Sequence, residues 1–303
     1  IFYKLCLHVF KDKAWSKVAT IFYAVIPAVL YYSFEVRYYG FLTFWVLLAF
    51  YFIYSRILKE YSTRNMLVFA GIMIAGFYTQ VLFVVPMIIM SGFLLYKARS
   101  LKHVYKYLYS YLYTIMACVY WLPTAVEHML DKTAGGWLVF NGLKSIFFTQ
   151  AELFLSPIMV IQLTMWHYVA VFVVSVGILI TFFLLRKKHT KMFFGLFILI
   201  NQIVFCIISI KTPVYYYKYL SFLIPFYVIC LFLCLQYVRR RRLLYSTVIF
   251  ITIFSFIYIT AIPRNFRYSA RYILDMATEK TDGVMPIVYN NFPMFLSSAY
   301  YAS

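Results

Sequence analysis

The residues best placed to do chemistry in this sequence are charges standing at the edges of long apolar runs. The segment Tyr32-Ser33-Phe34-Glu35-Val36-Arg37-Tyr38-Tyr39 puts a carboxylate and a guanidinium between two such runs. An ion at an apolar boundary is costly unless it is paired or functional. Glu35 and Arg37 therefore either staple their own loop or face an anionic substrate at the membrane surface. Lys211-Thr212-Pro213-Val214-Tyr215-Tyr216-Tyr217-Lys218-Tyr219 repeats the situation. Lys218 heads an apolar run, where it either snorkels to water or holds a phosphate as a point charge. Glu127 and His128 follow Trp121-Leu122-Pro123. Adjacent residues do not share a helix face, so a solvated helix start accounts for this pair better than a catalytic or metal role. Cys230 and Cys234 share a helix face, but no His or carboxylate near them in sequence completes a metal site. All five cysteines lie in apolar stretches and imply no disulfide framework. Gln80, Asn201 and Gln202, in or beside apolar runs, read as interhelical hydrogen-bonding groups. No nucleotide-binding, serine-hydrolase or zinc-protease pattern occurs.

What must position these charges is a membrane-embedded helical frame. The chain is 65% hydrophobic and 12% charged, against about 45–50% and about 25% in a soluble domain. Too few polar side chains remain to coat a water-facing surface. The apolar runs are continuous rather than alternating, which favours helices over a barrel. At about 20 residues per crossing, nine spans are predicted: 18–34, 39–55, 65–78, 80–96, 104–122, 166–185, 192–210, 219–238 and 243–263. The third and fourth are short, and a single broken re-entrant element is the alternative. Basic residues then alternate with the spans. Lys4, Lys11, Lys13 and Lys17, then Arg56, Lys59 and Arg64, then Lys97, Arg99, Lys102 and Lys106, then 186–191 and 239–242 share one side, with Asp12 and Glu60 as its only acids. By the positive-inside rule that side is the cytoplasm, and the tail lies outside. The net charge of +19 is explained by these clusters, and a nucleic-acid-binding face has no soluble scaffold to carry it.

Two outer segments are long. Residues 123–165 read as an interfacial amphipathic element. Residues 264–303 read as the start of a small extracytoplasmic α/β domain, with a strand-like 284–289 after the turn signal Thr281-Asp282-Gly283. The fold class is thus an all-α polytopic membrane protein, with residues 1–263 as the transmembrane domain. The chain opens without Met on an apolar stretch, 1–10, that reads as the tail of an earlier helix, so an upstream segment is expected. The 31 Tyr and 32 Phe read as interface belts and helix packing rather than a binding box.

The order of the motifs adds a resemblance. Pro27 and the loop Tyr32-Ser33-Phe34-Glu35-Val36-Arg37-Tyr38-Tyr39 resemble the P…YSQEARPY loop of bacterial family 39-like glycosyltransferases of the GT-C superfamily. Phe77-Tyr78-Thr79-Gln80 is similar to their LYTHY segment, with Gln80 where His is usual. Tyr120-Trp121-Leu122-Pro123 is similar to their PWLP corner. Pro213 with Lys218-Tyr219 is similar to their P-x-x-x-x-R-Y segment, with Lys218 in the Arg position, which keeps charge but loses the bidentate fork. Tyr272-Ile273-Leu274 and Thr281-Asp282-Gly283-Val284 resemble the start of their C-terminal domain. The resemblance implies a transferase that moves a sugar from a polyprenyl-phosphate carrier to a lipid, glycan or protein acceptor at the outer face of the bacterial plasma membrane. It implies substrate-binding roles for Glu35, Arg37, Tyr38, Lys218 and Tyr219, with Glu35 orienting an acceptor or a divalent metal ion. It places the catalytic acidic residue in an outer loop upstream of Ile1. A non-catalytic glycan-assembly protein of the same architecture and a transporter are the competing readings. The transporter lacks the mid-membrane charges such proteins usually carry.

Overall fold

A proline decides where one of the helices begins. The computed structural model describes residues 1–34, 39–98, 101–121, 123–124, 127, 140–155, 165–185, 189–212 and 214–238. Helix α1 spans Phe2–Phe10 and α2 spans Lys13–Val25, where the Asp12 carboxylate caps α2 by accepting the amides of Ala14 and Trp15. Ile26 is extended, with ψ at 128°, and α3 (Pro27–Phe34) starts afresh. A residue before proline is disfavoured in the α region, and Pro at the first helical position gives up only an N–H that had no acceptor. The predicted span 18–34 is therefore two helices rather than one.

Two further prolines sit in the first turns of helices that follow 3-10 turns without a break. Helix α4 (Tyr39–Phe52) runs on through a π turn, Ile53–Ile57. Helix α5 (Thr63–Thr79) ends at Gln80, which is extended, and a 3-10 turn, Val81–Phe83, leads into α6 (Val84–Lys97) with Pro86 in its first turn. Residues 65–96 are thus two helices, not one. After α7 (Leu101–Val119), α8 (Leu143–Leu155), α9 (Met165–Leu185) and α10 (His189–Ile208) come a one-turn helix, α11 (Tyr217–Leu220), and a 3-10 turn, Ser221–Leu223. Helix α12 (Ile224–Val238) then opens with Pro225 in its first turn. The backbone stays right-handed helical through Ser221 and Ile224, so the predicted span 219–238 falls on one continuous helical stretch, Tyr217–Tyr237. No strand occurs among the described residues.

Among the described residues, four helical stretches are long and apolar enough to cross a membrane: Tyr39–Ile57, Met165–Leu184, Lys191–Ile208 and Tyr217–Tyr237, with Val81–Lys97 a shorter apolar one. The predicted spans 18–34 and 65–78 fall on helices that are too short to join them, and 80–96 on that shorter one. Span 104–122 falls on α7, which tyrosines and lysines make less apolar. The ninth span, 243–263, and the whole tail lie outside the described residues.

Helix α12 is the hub, packed on α2, α9 and α10. Around it the phenylalanines interlock. Phe50 of α4 meets Phe226 at 4.5 Å and Phe197 at 4.7 Å between ring centroids, and Phe93 stacks on Phe193 at 3.8 Å. The outward surface is apolar too. Tyr105, Leu108, Tyr109, Leu112 and Met116 on α7, and Val173, Ile180 and Leu184 on α9, are exposed at helical spacing. Water does not tolerate such stripes; hydrocarbon does.

Candidate functional site

The loop between α10 and α11 is shaped by one buried hydroxyl. Ser209 Oγ accepts the amides of both Val214, at 3.1 Å, and Tyr215. This folds the chain back so that Tyr216 precedes the single turn of α11 and Lys218 points into protein, only 8% exposed. Its ammonium lies 5.9 Å from the Tyr39 ring centroid and 5.8 Å from that of Tyr217. Both are within the range in which a ring face attracts a cation, and the attraction grows with desolvation. Tyr39 meets Tyr219 edge-on at 5.8 Å, and the Tyr216 hydroxyl donates to that of Tyr217 at 2.9 Å. Lys218 is therefore seated in a tyrosine-walled corner where the first turn of α4 meets α11. It does not stretch to water as a snorkelling lysine does.

Helix α8 closes this corner. It packs on α3, α9 and α11, and its Thr149 hydroxyl donates to the Tyr215 carbonyl at 3.4 Å. It carries Glu152 into Coulombic reach of both Lys218 and Tyr168. Burial pushes the Glu152 carboxyl up to about 8, against the opposing pull of the Lys218 charge. Loss of solvation disfavours the carboxylate more than one neighbouring cation restores it. At neutral pH the corner thus holds a cation beside a neutral acid, an arrangement suited to an anionic ligand. Glu152 does not stand out in the sequence analysis. The available signal was a lone carboxylate inside the apolar run 147–154, which reads equally well as the wet side of an amphipathic helix.

Of the residues the sequence singles out, Lys218 and Tyr219 sit in this corner, while Glu35, Arg37 and Tyr38 lie outside the described residues. Tyr39, the next residue in the chain, is the one that meets Lys218 and Tyr219. The two other resembling segments also meet each other. Trp121 packs against Phe77 and Tyr78 at 6.2 and 6.3 Å, and the Tyr78 hydroxyl donates to the Ala117 carbonyl at 2.8 Å. Glu127 is exposed. Gln202 bonds across helices, to Gln150 of α8 and Tyr227 of α12. Asn201 does not: its amide donates to Phe197 within α10, and its buried Oδ1 has no partner among the described residues. Back-bonding to the preceding turn has replaced the expected interhelical bond. No cluster of three His, Cys, Asp or Glu side chains occurs among the described residues.

No family model, curated protein or solved structure matches the chain.

Proposed function

We propose that the chain is the membrane part of a glycosyltransferase that takes a sugar from a polyprenyl-phosphate carrier and passes it to a lipid, glycan or protein acceptor. On this reading nine spans cross a bacterial plasma membrane, the basic clusters face the cytoplasm and residues 264–303 lie outside. The observation that supports it is the buried Lys218 ammonium, walled by Tyr39 and Tyr217 with Glu152 beside it, where the first turn of α4 meets α11.

A carrier phosphate sits at the level of lipid headgroups, so its partner should be a cation at the end of a span. Negative charge grows on that phosphate as the sugar departs, and a preorganised cation in a poorly hydrated corner stabilises it strongly. Tyrosine ring faces present apolar surface to a sugar, and their hydroxyls present donors and acceptors. Arg37, two residues before Tyr39, supplies the second cation, and Glu35 orients the acceptor.

The test is donor binding and sugar transfer by the protein in lipid nanodiscs. A charge-assisted contact is worth about 1.5–3 kcal/mol, so Lys218→Met should weaken binding of a radiolabelled polyprenyl-phosphate hexose about 10- to 150-fold. Lys218→Arg should retain most of it. Equal binding by wild type and Lys218→Met overturns the phosphate assignment. Intact donor binding with no transfer to any acceptor class would point instead to a non-catalytic protein of the same architecture.

A further inference from the structure

Three amide and hydroxyl side chains from three helices meet at the head of a separate apolar slot. Gln150 Nε2 donates to the Tyr227 hydroxyl at 3.0 Å, and Gln202 Nε2 donates to Gln150 Oε1 at 2.9 Å and to the Tyr227 hydroxyl at 2.8 Å. Gln150 is 1% exposed and Tyr227 is 2% exposed. Two glutamine amides and one phenol bring five N–H and O–H hydrogens, and the three contacts consume three. Whichever way the amides are turned, two hydrogens lack an acceptor among the described residues. A buried donor left unpaired is expensive, so the group is built to meet one more acceptor.

All three side chains line a cavity of about 230 Å³, and the remaining wall is Phe172, Ser175, Val176, Leu179, Ile180 and Phe183 of α9 with Leu199 of α10. Positions 172, 175/176, 179/180 and 183 form one helical stripe, which at 1.5 Å per residue is about 16 Å long. Ser175 already donates to Val171 within its own helix, so below the triad the slot is effectively hydrocarbon. Its wall includes Ile180, which is 54% exposed and shares the outward face of α9 with Val173 and Leu184. The slot therefore opens sideways onto the surface that contacts lipid. No charged residue lines it among the described residues. An ionised head group there would be a desolvated ion without a counter-charge.

We propose that the slot between α9, α10 and α12 binds one hydrocarbon chain that ends in a neutral hydrogen-bonding group, with that group on the Gln150–Gln202–Tyr227 triad. A long-chain alcohol or the ester end of a lipid chain has this chemistry, and a lipid phosphate does not. The chain enters laterally from the bilayer between α9 and α10. Helix α8 joins this site to the Lys218 corner, since Gln150 and Glu152 are two residues apart on it. The site stands independently of the transfer reading, and its test reads binding rather than sugar transfer.

The protein in nanodiscs is photolabelled with a diazirine-bearing hexadecanol, and in parallel with the matching alkane that lacks the hydroxyl. Labelling by the alcohol should fall on the α9 and α10 peptides that line the slot and should exceed labelling by the alkane there. Ile180→Trp, at the mouth, should lower it at least fivefold, while Val173→Trp, on the outward face of the same helix, should leave it unchanged. Gln202→Leu should lower alcohol labelling about tenfold and spare the alkane. Unlabelled hexadecanol should compete and hexadecyl phosphate should not. Equal labelling in the Ile180→Trp and Val173→Trp variants reduces the signal to bulk lipid contact and overturns the proposal. So does equal labelling by alcohol and alkane, or competition by the phosphate.

Discussion

At the scale of single residues, the surroundings of one group set its charge. Glu152 holds its proton to about pH 8 in the folded chain, against 4.5 for an unperturbed glutamate. Between those values the folded state keeps a proton that the unfolded state has lost, so this group's contribution to stability falls as pH rises through that window and levels off above it. Glu152→Gln removes the dependence. Thermal unfolding in detergent should show the variant gaining on wild type between pH 5 and 8, by roughly 2–4 °C if the effect is near 1 kcal/mol; parallel curves would contradict the assignment. The same proton governs the corner's charge. Lys218 and Tyr168 are the titratable groups that Glu152 feels from α11 and α9. Once Glu152 ionises, its carboxylate opposes the field of Lys218. Donor binding in nanodiscs should therefore weaken as pH passes through 8 in wild type and stay flatter in Glu152→Gln. A pH profile that is identical in the two proteins would remove Glu152 from the site.

At the scale of elements, caps and close approaches set where helices start and how they turn. Asp12 satisfies two of the free amides at the head of α2. Asp12→Ala should cost about 1 kcal/mol, read as a lower unfolding midpoint with no change at the Lys218 corner. Gly76 sits where α5 turns into the 3-10 segment: a Cβ there would stand 2.5 Å from the Phe83 ring. Phe83 is fully buried and has nowhere to move, so Gly76→Val should destabilise by about 1–3 kcal/mol, whereas Gly71→Ala, with nothing within 4 Å of the added carbon, should be neutral or slightly favourable. Equal effects at the two glycines would show that the α5–α6 break does not depend on this close approach.

At the scale of the whole molecule, polar contacts gather at two separate ends of the bundle. At one end Lys218, Tyr39, Thr149 and Tyr215 come together. At the other, Gln236 donates to the Phe10 carbonyl at 3.3 Å and Lys106 to the Tyr61 carbonyl at 3.0 Å. On the proposed topology the first of these ends faces outward and the second faces the cytoplasm. In a cysteine-free background (the chain has five free cysteines), a Cys at exposed Lys144 should be modified by an impermeant reagent applied from outside, and one at exposed Lys59 should be spared. The same contrast is expected between Ser269 and Arg241. The reverse pattern would invert the proposed topology.

The sequence by itself determined the solvent and the class of fold, because a chain with so few polar side chains can satisfy its backbone in lipid only as helices. The restart at Pro27 has a local cause, a missing N–H and a fixed φ, yet the apolar run 18–34 reads straight through it as one span. The sequence marked Lys218 through position alone, a cation at the head of an apolar run. Only the tertiary structure decided what that cation meets. Tyr39 reaches it from α4 and Glu152 from α8, and neither pairing leaves a trace in local periodicity. The Gln150–Gln202–Tyr227 triad joins residues 52 and 77 positions apart, so it exists only once α8, α10 and α12 are packed. Asn201 and Gln202 show the limit most directly. They are neighbours of similar chemistry, but a rotation of about 100° per residue turns one to its own helix and the other to its partners. Which of them bonds across the interface depends on which face the neighbouring helices cover, and that is settled by packing rather than by residue type.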